Sequence, residues 1–500
     1  MQNQPMKLTD IIHHDIVIHL DTLKTDPELV KQIQTQLNRL GFYPGGSWLD
    51  GAYGNQTEQA MTEFCESVYL NNMDSKKFGK GWAQKLLPEN PKPLPSLKDK
   101  NKDTIYQSFL KESVKGTIDE PALFYKGIDT SPYKTQLKDY AARLMQKPDG
   151  KTLVSVTKDT TQFQPFPSVG QLPDIDDQGL SFLHPEITEA CLCVGSFVNG
   201  DFKTKWLGRN ALSQTEFWSS SKIIPILNIV SRSNRNSFQT DIDNCLIRGR
   251  NLSGQYREFS FHDVLRDILS YDNRIASSNS LAAMLKQFST PAELETWLKS
   301  MTGNQDLIFT GRYGEEPFIP EPELSTQPPQ GWWRPRNVIL KGVSERHRGE
   351  NTITAYDLTR MISMLGWHYH IPQSSRLPGA QWHSLESVIR AMGADAARLT
   401  DVALDMLDLQ DKISSPVIIS KLGNGVTQIR NRAEAVYVAL VQFIQPSTMG
   451  VPELVTFTMA LKGAKRLEPR DAKREVVELD ARMATEVTEI IRRGALGELG

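Results

Sequence analysis

Three short groups of residues in this chain could do chemistry. The first is Phe217-Trp218-Ser219-Ser220-Ser221-Lys222, which runs into Ile223, Ile224, Pro225, Ile226, Leu227, Ile229 and Val230. A helix starting near Ser219 puts Ser219 and Lys222 one turn apart on the same face. The serine then stands at a helix N-terminus, where the dipole and the free N–H groups favour developing negative charge. A lysine held beside it among apolar neighbours loses its proton more easily and can serve as a base. Pro225 is tolerable only in the first turns of such a helix, where a missing N–H costs least. Alone, S-x-x-K is a weak signal, since a polar cap on a buried helix has the same pattern.

The second group, Ser277-Ser278-Asn279, follows Ser219 by 58 residues. A short loop presenting the Ser277 hydroxyl and the Asn279 carboxamide could relay a proton and hold a substrate amide. Tyr271-Asp272-Asn273 also offers a hydroxyl and an amide. Ser277 is preferred because an apolar helix with Leu281 and Leu285 begins right after it. The third group, Lys421-Leu422-Gly423, ends the strand-like run Pro416-Val417-Ile418-Ile419-Ser420. A lysine on an edge strand, with a glycine two residues on, leaves open backbone able to pair with an extended substrate.

In this order the three groups resemble the motifs S-x-x-K, S-x-N and K-T/S-G of the penicillin-recognising serine hydrolases, the class A β-lactamases and D,D-peptidases. The resemblance spans residues 185 to 500. It implies Ser219 as acylated nucleophile, Lys222 as its base, Ser277 and Asn279 as the second-loop pair, and Lys421 and Gly423 on the strand lining the cleft. The oxyanion would rest on backbone N–H groups of Ser219 and of a residue just after Gly423. Glu321-Pro322-Glu323-Leu324-Ser325 looks like the family's E-x-x-L-N loop, which makes Glu321 the candidate for activating the deacylating water. Two departures stand out: Leu422 replaces the usual Thr or Ser, and Ser325 replaces Asn. Ser420 or Asn424 could supply the hydroxyl or amide that Leu422 lacks.

A second resemblance lies near the N-terminus. Val30, Ile33, Leu37 and Leu40 fall at helical spacing, and a glycine-rich loop leads to a helix bearing Ala60, Met61 and Phe64. Gln34, Leu37, Leu40-Gly41-Phe42, Asp50-Gly51, Gly54, Thr57, Ala60 and Phe64 resemble the peptidoglycan-binding domain of wall-acting enzymes, with Cys65 where that family often has Gln. The implied partner is peptidoglycan.

The elements that position these groups can be read coarsely. Residues 1–90 form a small all-α unit, and 91–180 are a linker and connector without an assigned function, opening with the proline-rich PENPKPLPSLKDKNKD. Residues 181–500 form an α+β domain, an antiparallel sheet flanked by helices, as the first resemblance implies. Within it, Asn199-Gly200-Asp201 is a hairpin signal, and helices are expected at 219–231, 354–365 and 385–410. Strands are expected at PVIISKLG and AVYVALVQFI. Val476, Leu479, Met483, Val487 and Ile490 mark a closing amphipathic helix. Strands at both ends of this stretch, with helices between, must meet in one sheet.

The remaining signals exclude more than they suggest. Lys+Arg 57 against Asp+Glu 59 gives a net charge of −2, which argues against nucleic-acid binding through bulk electrostatics. Four cysteines in 500 residues are too few for a disulfide scaffold, and Cys191 and Cys193 read as small core residues. His368-Tyr369-His370 puts two imidazoles on one strand face without a third ligand at metal spacing, so neither metal nor cofactor is expected. Trp332-Trp333 could stack on a sugar or clasp a loop. No apolar run reaches the ~20 residues that span a bilayer. The N-terminus, with Asp10, Asp15 and Asp21, has no export-signal layout, at odds with a wall-located enzyme. The expected function is therefore an acyl-serine hydrolase acting on a β-lactam or peptidoglycan-derived amide. The alternatives are a non-catalytic wall-binding or assembly protein that keeps the fold, and a cytoplasmic amidase of glutaminase type.

Overall fold

In the first ninety residues the helical spacing becomes α1, Pro27–Arg39, with Pro27 at its first position and the Asp26 side chain accepting from the Leu29 N–H. A second helix, α2, spans Asn55–Ser67. Their apolar faces share one core that holds Val30, Ile33, Leu37, Ala60, Met61, Phe64 and Trp82. The intervening loop is tied to buried Gln34, which donates to the Ala52 carbonyl at 3.0 Å and accepts from the Gly51 N–H at 2.8 Å. Gly51 has φ +78, and a Cβ there would meet the Pro27 carbonyl at 2.6 Å, so both conformation and space demand glycine. The unit is not purely helical: Ile18–His19 and Lys77–Phe78 form a two-residue antiparallel pair.

The computed structural model describes residues 6–40, 42–44, 48–68, 70–87, 96–326, 337–447 and 450–500. Gly41 and Trp332-Trp333 lie outside these residues. The chain divides into two compact units, Met1–Pro93 and Leu94–Gly500.

The second unit is built on a long antiparallel sheet. Strands β1 (Ile187–Val198) and β2 (Asp201–Arg209) are joined at Asn199 and Gly200, both with positive φ, as a two-residue hairpin of matching twist requires. At the other end of the sequence come β3 (Ser414–Thr427), β4 (Arg432–Gln445) and β5 (Glu453–Lys465). The sheet order is β3-β4-β5-β1-β2, so the two ends of the unit meet where β5 pairs with β1. The third of these late strands was not expected. Its run ELVTFTMALKGAK follows Pro446, Gly450 and Pro452, which are ordinary strand-bounding residues.

Alternation along β3 sorts its side chains between two cores. Val417 and Ile419 face a core shared with Ile223, Ile226, Leu227 and Val230, whereas Ile418 and Leu422 face a core shared with Leu479, Met483 and Val487. Cys191 and Cys193 pack in the first of these cores.

The helix expected from Ser219 starts as a 3-10 turn, Trp218–Lys222, and continues as the α-helix α3, Ile223–Asn236. Pro225 is third in α3, within the first turn as expected. Between β2 and β3 the chain is not all helix and loop. Cys245–Arg250, Tyr256–Ser260, Glu323–Thr326 and Val338–Lys341 form a separate four-stranded antiparallel sheet. Strands of four to six residues carry too few alternations for a periodicity reading. Further helices are α4 (Phe261–Ser270), α5 (Ser278–Lys286), α6 (Ala355–Gly366, with a Thr354/Asp357 capping box) and α7 (Trp382–Gly393). Tyr369 and His370 sit in the turn after α6 rather than on a strand, and His370 Nε2 lies 2.7 Å from the Leu144 carbonyl.

The closing helix α8, Ala472–Leu496, lies along the sheet and also anchors much of the stretch left without a role by the sequence. Ile105 and Phe109, from the helix Lys102–Ser113, join its core. Asp480 accepts from the Leu123 and Phe124 N–H groups at 2.9 and 3.0 Å, and Lys102 pairs with Glu486 at 2.5 Å.

Candidate active site

The 3-10 turn carrying Ser219 lies against β3 at Gly423. A Cβ on Gly423 would stand 2.7 Å from the Trp218 Cβ and 2.9 Å from the Ser219 amide nitrogen. The glycine is needed for this approach, where the sequence suggested open backbone for a substrate. Trp218 holds φ +46, an uncommon conformation for a bulky residue, and its indole N–H donates to Glu434 at 2.9 Å. Ser219 itself is half-buried, whereas Ser220, Ser221 and Lys222 are buried.

Lys222, 1% exposed, donates to Ser278 Oγ at 2.9 Å and to Asn279 Oδ1 at 2.7 Å. Two of the three sequence groups therefore meet at its amine, but through Ser278 rather than Ser277. Ser277 caps α5, accepting from the Ser280 N–H at 3.1 Å and donating to Glu315. A serine directly ahead of an apolar helix is a cap by preference; the same feature that favoured it in the sequence reading assigns it this other task. Burial pushes the Lys222 pKa well down, the positive charge of Lys421 adds to this, and Glu315 opposes it.

Tyr271, set aside in the sequence reading, is central. It ends α4 in a left-handed conformation, φ +58, which turns its side chain back toward β3. Lys421 Nζ donates to its hydroxyl at 2.5 Å, and that hydroxyl lies 3.3 Å from the Leu422 carbonyl. Burial raises the tyrosine's pKa, and a hydrogen bond with Ser219 opposes the rise. The Ser219 hydroxyl lies on the Tyr271 side, and no hydrogen bond joins it to Lys222 among the described residues. Lys421, 1% exposed, faces Asp395 at 3.8 Å, with Asp395 fully buried. Burial lowers the Lys421 pKa to about 8, with Asp395 opposing; burial raises Asp395 to about 6, with Lys421 opposing. Neither Asp395 nor Glu315 belongs to a motif, and their approach depends on packing distant in sequence.

Leu422 points away from this site into the core beside α8, and Ser420 donates to the Ala397 carbonyl at 3.0 Å. Neither offers a hydroxyl to the cleft. Glu321 is exposed just ahead of the small-sheet strand Glu323–Thr326, with its carbonyl beside Gly249, and has no described contact with Ser219 or Lys222. Ser325 is buried within that strand. The carboxylate that acts on Lys222 is Glu315.

Chemically, the cluster offers a hydroxyl nucleophile on a turn, a tyrosine that can pass a proton, and two buried amines of shifted basicity. That combination suits nucleophilic acyl transfer.

Comparison with known proteins adds the following. Residues 26–65 match the family described as "Putative peptidoglycan binding domain". No curated protein matches the chain. Among solved structures, the chain is similar to a class A β-lactamase from Bacteroides cellulosilyticus, at 13% identity and a TM-score of 0.34, covering 62% of this chain and 95% of that one. It is also similar to a peptidoglycan synthetase from Bifidobacterium adolescentis, at 12% identity and a TM-score of 0.29, covering 64% of this chain and 60% of that one.

Proposed function

We propose that the second unit is a serine acyl-hydrolase and that the first holds it on peptidoglycan. Ser219 Oγ attacks the carbonyl carbon of a β-lactam or a peptidoglycan-derived amide. Its proton passes to the Lys222 amine and from there to the departing nitrogen as the C–N bond breaks. Backbone N–H groups of Ser219 and of a residue just after Gly423 receive the oxyanion. Water then hydrolyses the ester and restores Ser219. Asn279 and Lys421 hold the substrate and the proton path, with Tyr271 between Lys421 and Ser219.

The observation that carries this reading is the placement of Lys222, buried and held by Ser278 and Asn279, one turn from Ser219. A buried lysine of depressed pKa next to a hydroxyl on a turn is the arrangement a nucleophile and its base require. The match of residues 26–65 supports peptidoglycan as the ligand of the first unit, and cell-wall association follows from that reading. No helix among the described residues is long and apolar enough to cross a membrane.

The test is intact-protein mass after incubation with a panel of β-lactams, with drug loss followed in the same tubes and Ser219→Ala alongside. An adduct or drug loss that disappears in Ser219→Ala is expected. Neither adduct nor drug loss, together with sedimentation on sacculi, would replace this reading by that of a binding or assembly protein.

A further inference from the structure

Two buried lysines, Lys222 and Lys421, lie against the Tyr271 ring, at 5.7 and 3.8 Å from its centroid, and two like charges in one water-poor site disfavour each other. We propose that Asp395 selects which lysine is charged: by pairing with Lys421 it holds the ammonium there and leaves Lys222 as the free amine beside Ser219. The charge assignment stands first on the contacts of the two amines; its effect on Ser219 rests on the acyl-hydrolase reading.

The contacts of the two amines differ in kind. Lys421 Nζ has a buried carboxylate at 3.8 Å and donates to Tyr271. Lys222 Nζ has two neutral acceptors, Ser278 Oγ and Asn279 Oδ1. The rings of Tyr271 and Tyr313 also lie near it, with centroids at 5.7 and 5.6 Å. A charged lysine has three N–H donors, and a free amine has two and a lone pair. Two acceptors satisfy a free amine and leave its lone pair for a proton. Glu315, which also acts on Lys222, is engaged by the Ser277 hydroxyl.

The groups around Asp395 leave Lys421 as its cation. Arg398, the other cation acting on it, is committed to Asp401 at 2.5 Å and to the carbonyls of Gly393 and Ile418. Among the described residues neither carboxylate oxygen of Asp395 has a hydrogen-bond donor, and the Ser420 hydroxyl is donated to the Ala397 carbonyl, so the Lys421 ammonium is what offsets the buried charge. The remaining titratable neighbours are Tyr125, Tyr271 and Tyr437, whose pKa values burial and Asp395 both raise, so they stay neutral. Burial raises Asp395 and lowers Lys421, and each opposes the other's shift, so pairing favours the charged form of both, while burial and the Lys421 charge push Lys222 toward the free amine.

The experiment is NMR of the full chain with its lysines labelled with 15N at Nζ, the two signals being assigned through Lys222→Met and Lys421→Met. At pH 7 an ammonium at Lys421 and an amine at Lys222 are expected. In Asp395→Asn the Lys421 midpoint should fall by at least one pH unit, and the Lys222 midpoint should rise. A charged Lys222 at pH 7 in the native chain overturns the proposal, as does an unmoved Lys421 midpoint in folded Asp395→Asn. If that variant does not fold, the native spectrum decides.

Labelling of Ser219 by a fluorophosphonate across pH gives the second reading. Asp395→Asn should slow it at least tenfold at pH 7 and displace the profile. An unchanged profile with a moved Lys421 midpoint refutes the link to Ser219. Absence of labelling in the native chain at every pH removes the acyl-hydrolase reading, while the spectra still decide the charge assignment.

Discussion

The Ser219 amide nitrogen and the Gly423 Cα are packed so closely that a Cβ on Gly423 would lie 2.9 Å from that nitrogen. The position of Ser219 is therefore set by the absence of a side chain at Gly423 on β3. Gly423→Ala should push the 3-10 turn away from the strand, because the neighbouring atoms are backbone and the Trp218 Cβ rather than a flexible chain end. Overpacking of this kind costs about 1–3 kcal/mol. Ser219 acylation should fall by more than that destabilisation explains, since the turn must shift to accommodate the methyl. Thermal melting and acylation measured together check this, and wild-type acylation in a destabilised variant would contradict it.

Tyr271→Phe removes a hydroxyl that accepts from Lys421 and donates to the Leu422 carbonyl on the Ser219 side of the cluster. Acylation should slow by roughly 100-fold, the lower range for a group that handles a proton. The ring stays, so its contact with Lys421 at 3.8 Å is retained and the fold should persist. Acylation at the native rate would leave Tyr271 with packing alone.

These two residues show how unevenly the sequence reveals the site. The Asn199-Gly200 hairpin and the Thr354 cap were legible because turn and cap chemistry is local. Ser219, Lys222 and Asn279 stood out by spacing, and helix geometry brings residues one turn apart together whatever surrounds them. Tyr271 stood in view, but its role depends on a left-handed residue at the end of α4, and nothing in Tyr271-Asp272-Asn273 fixes which way the hydroxyl turns. Asp395 is still less legible. It lies after α7, 26 residues before Lys421, and meets it only because α7 and β3 pack together. The small four-stranded sheet escaped because strands of four to six residues carry too few alternations to stand out.

Two glutamates separate motif from geometry. Glu321 fits the family pattern but is exposed ahead of the small-sheet strand Glu323–Thr326, whereas Glu315 accepts from Ser277 and opposes the lowering of the Lys222 pKa. Glu315→Gln should alter acylation or deacylation of Ser219 by tenfold or more, because it removes a charge next to the base. Glu321→Gln should change neither by more than twofold. Time-resolved intact mass separates the two steps, and the reverse pattern would return Glu321 to the site.

Asp480 tests whether the stretch ahead of the sheet is part of the same folding unit. Its carboxylate accepts two buried N–H groups, from Leu123 and Phe124, yet burial still raises its pKa to about 6. An ordinary aspartate titrates near 3.9, so between about pH 4 and 6 the folded chain holds a proton that the unfolded chain has released. Stability from this group therefore falls as pH rises through that window. Asp480→Asn keeps an oxygen acceptor and loses the titration. The stability of the native second unit relative to the variant should fall by on the order of 2 kcal/mol from pH 4 to pH 7, read by denaturant unfolding at both values. A difference independent of pH would mean that Asp480 is not held as described. Asp480→Ala, which leaves both N–H groups buried without an acceptor, should cost about 1–3 kcal/mol at either pH and expose residues 121–127 to proteolysis before the sheet unfolds.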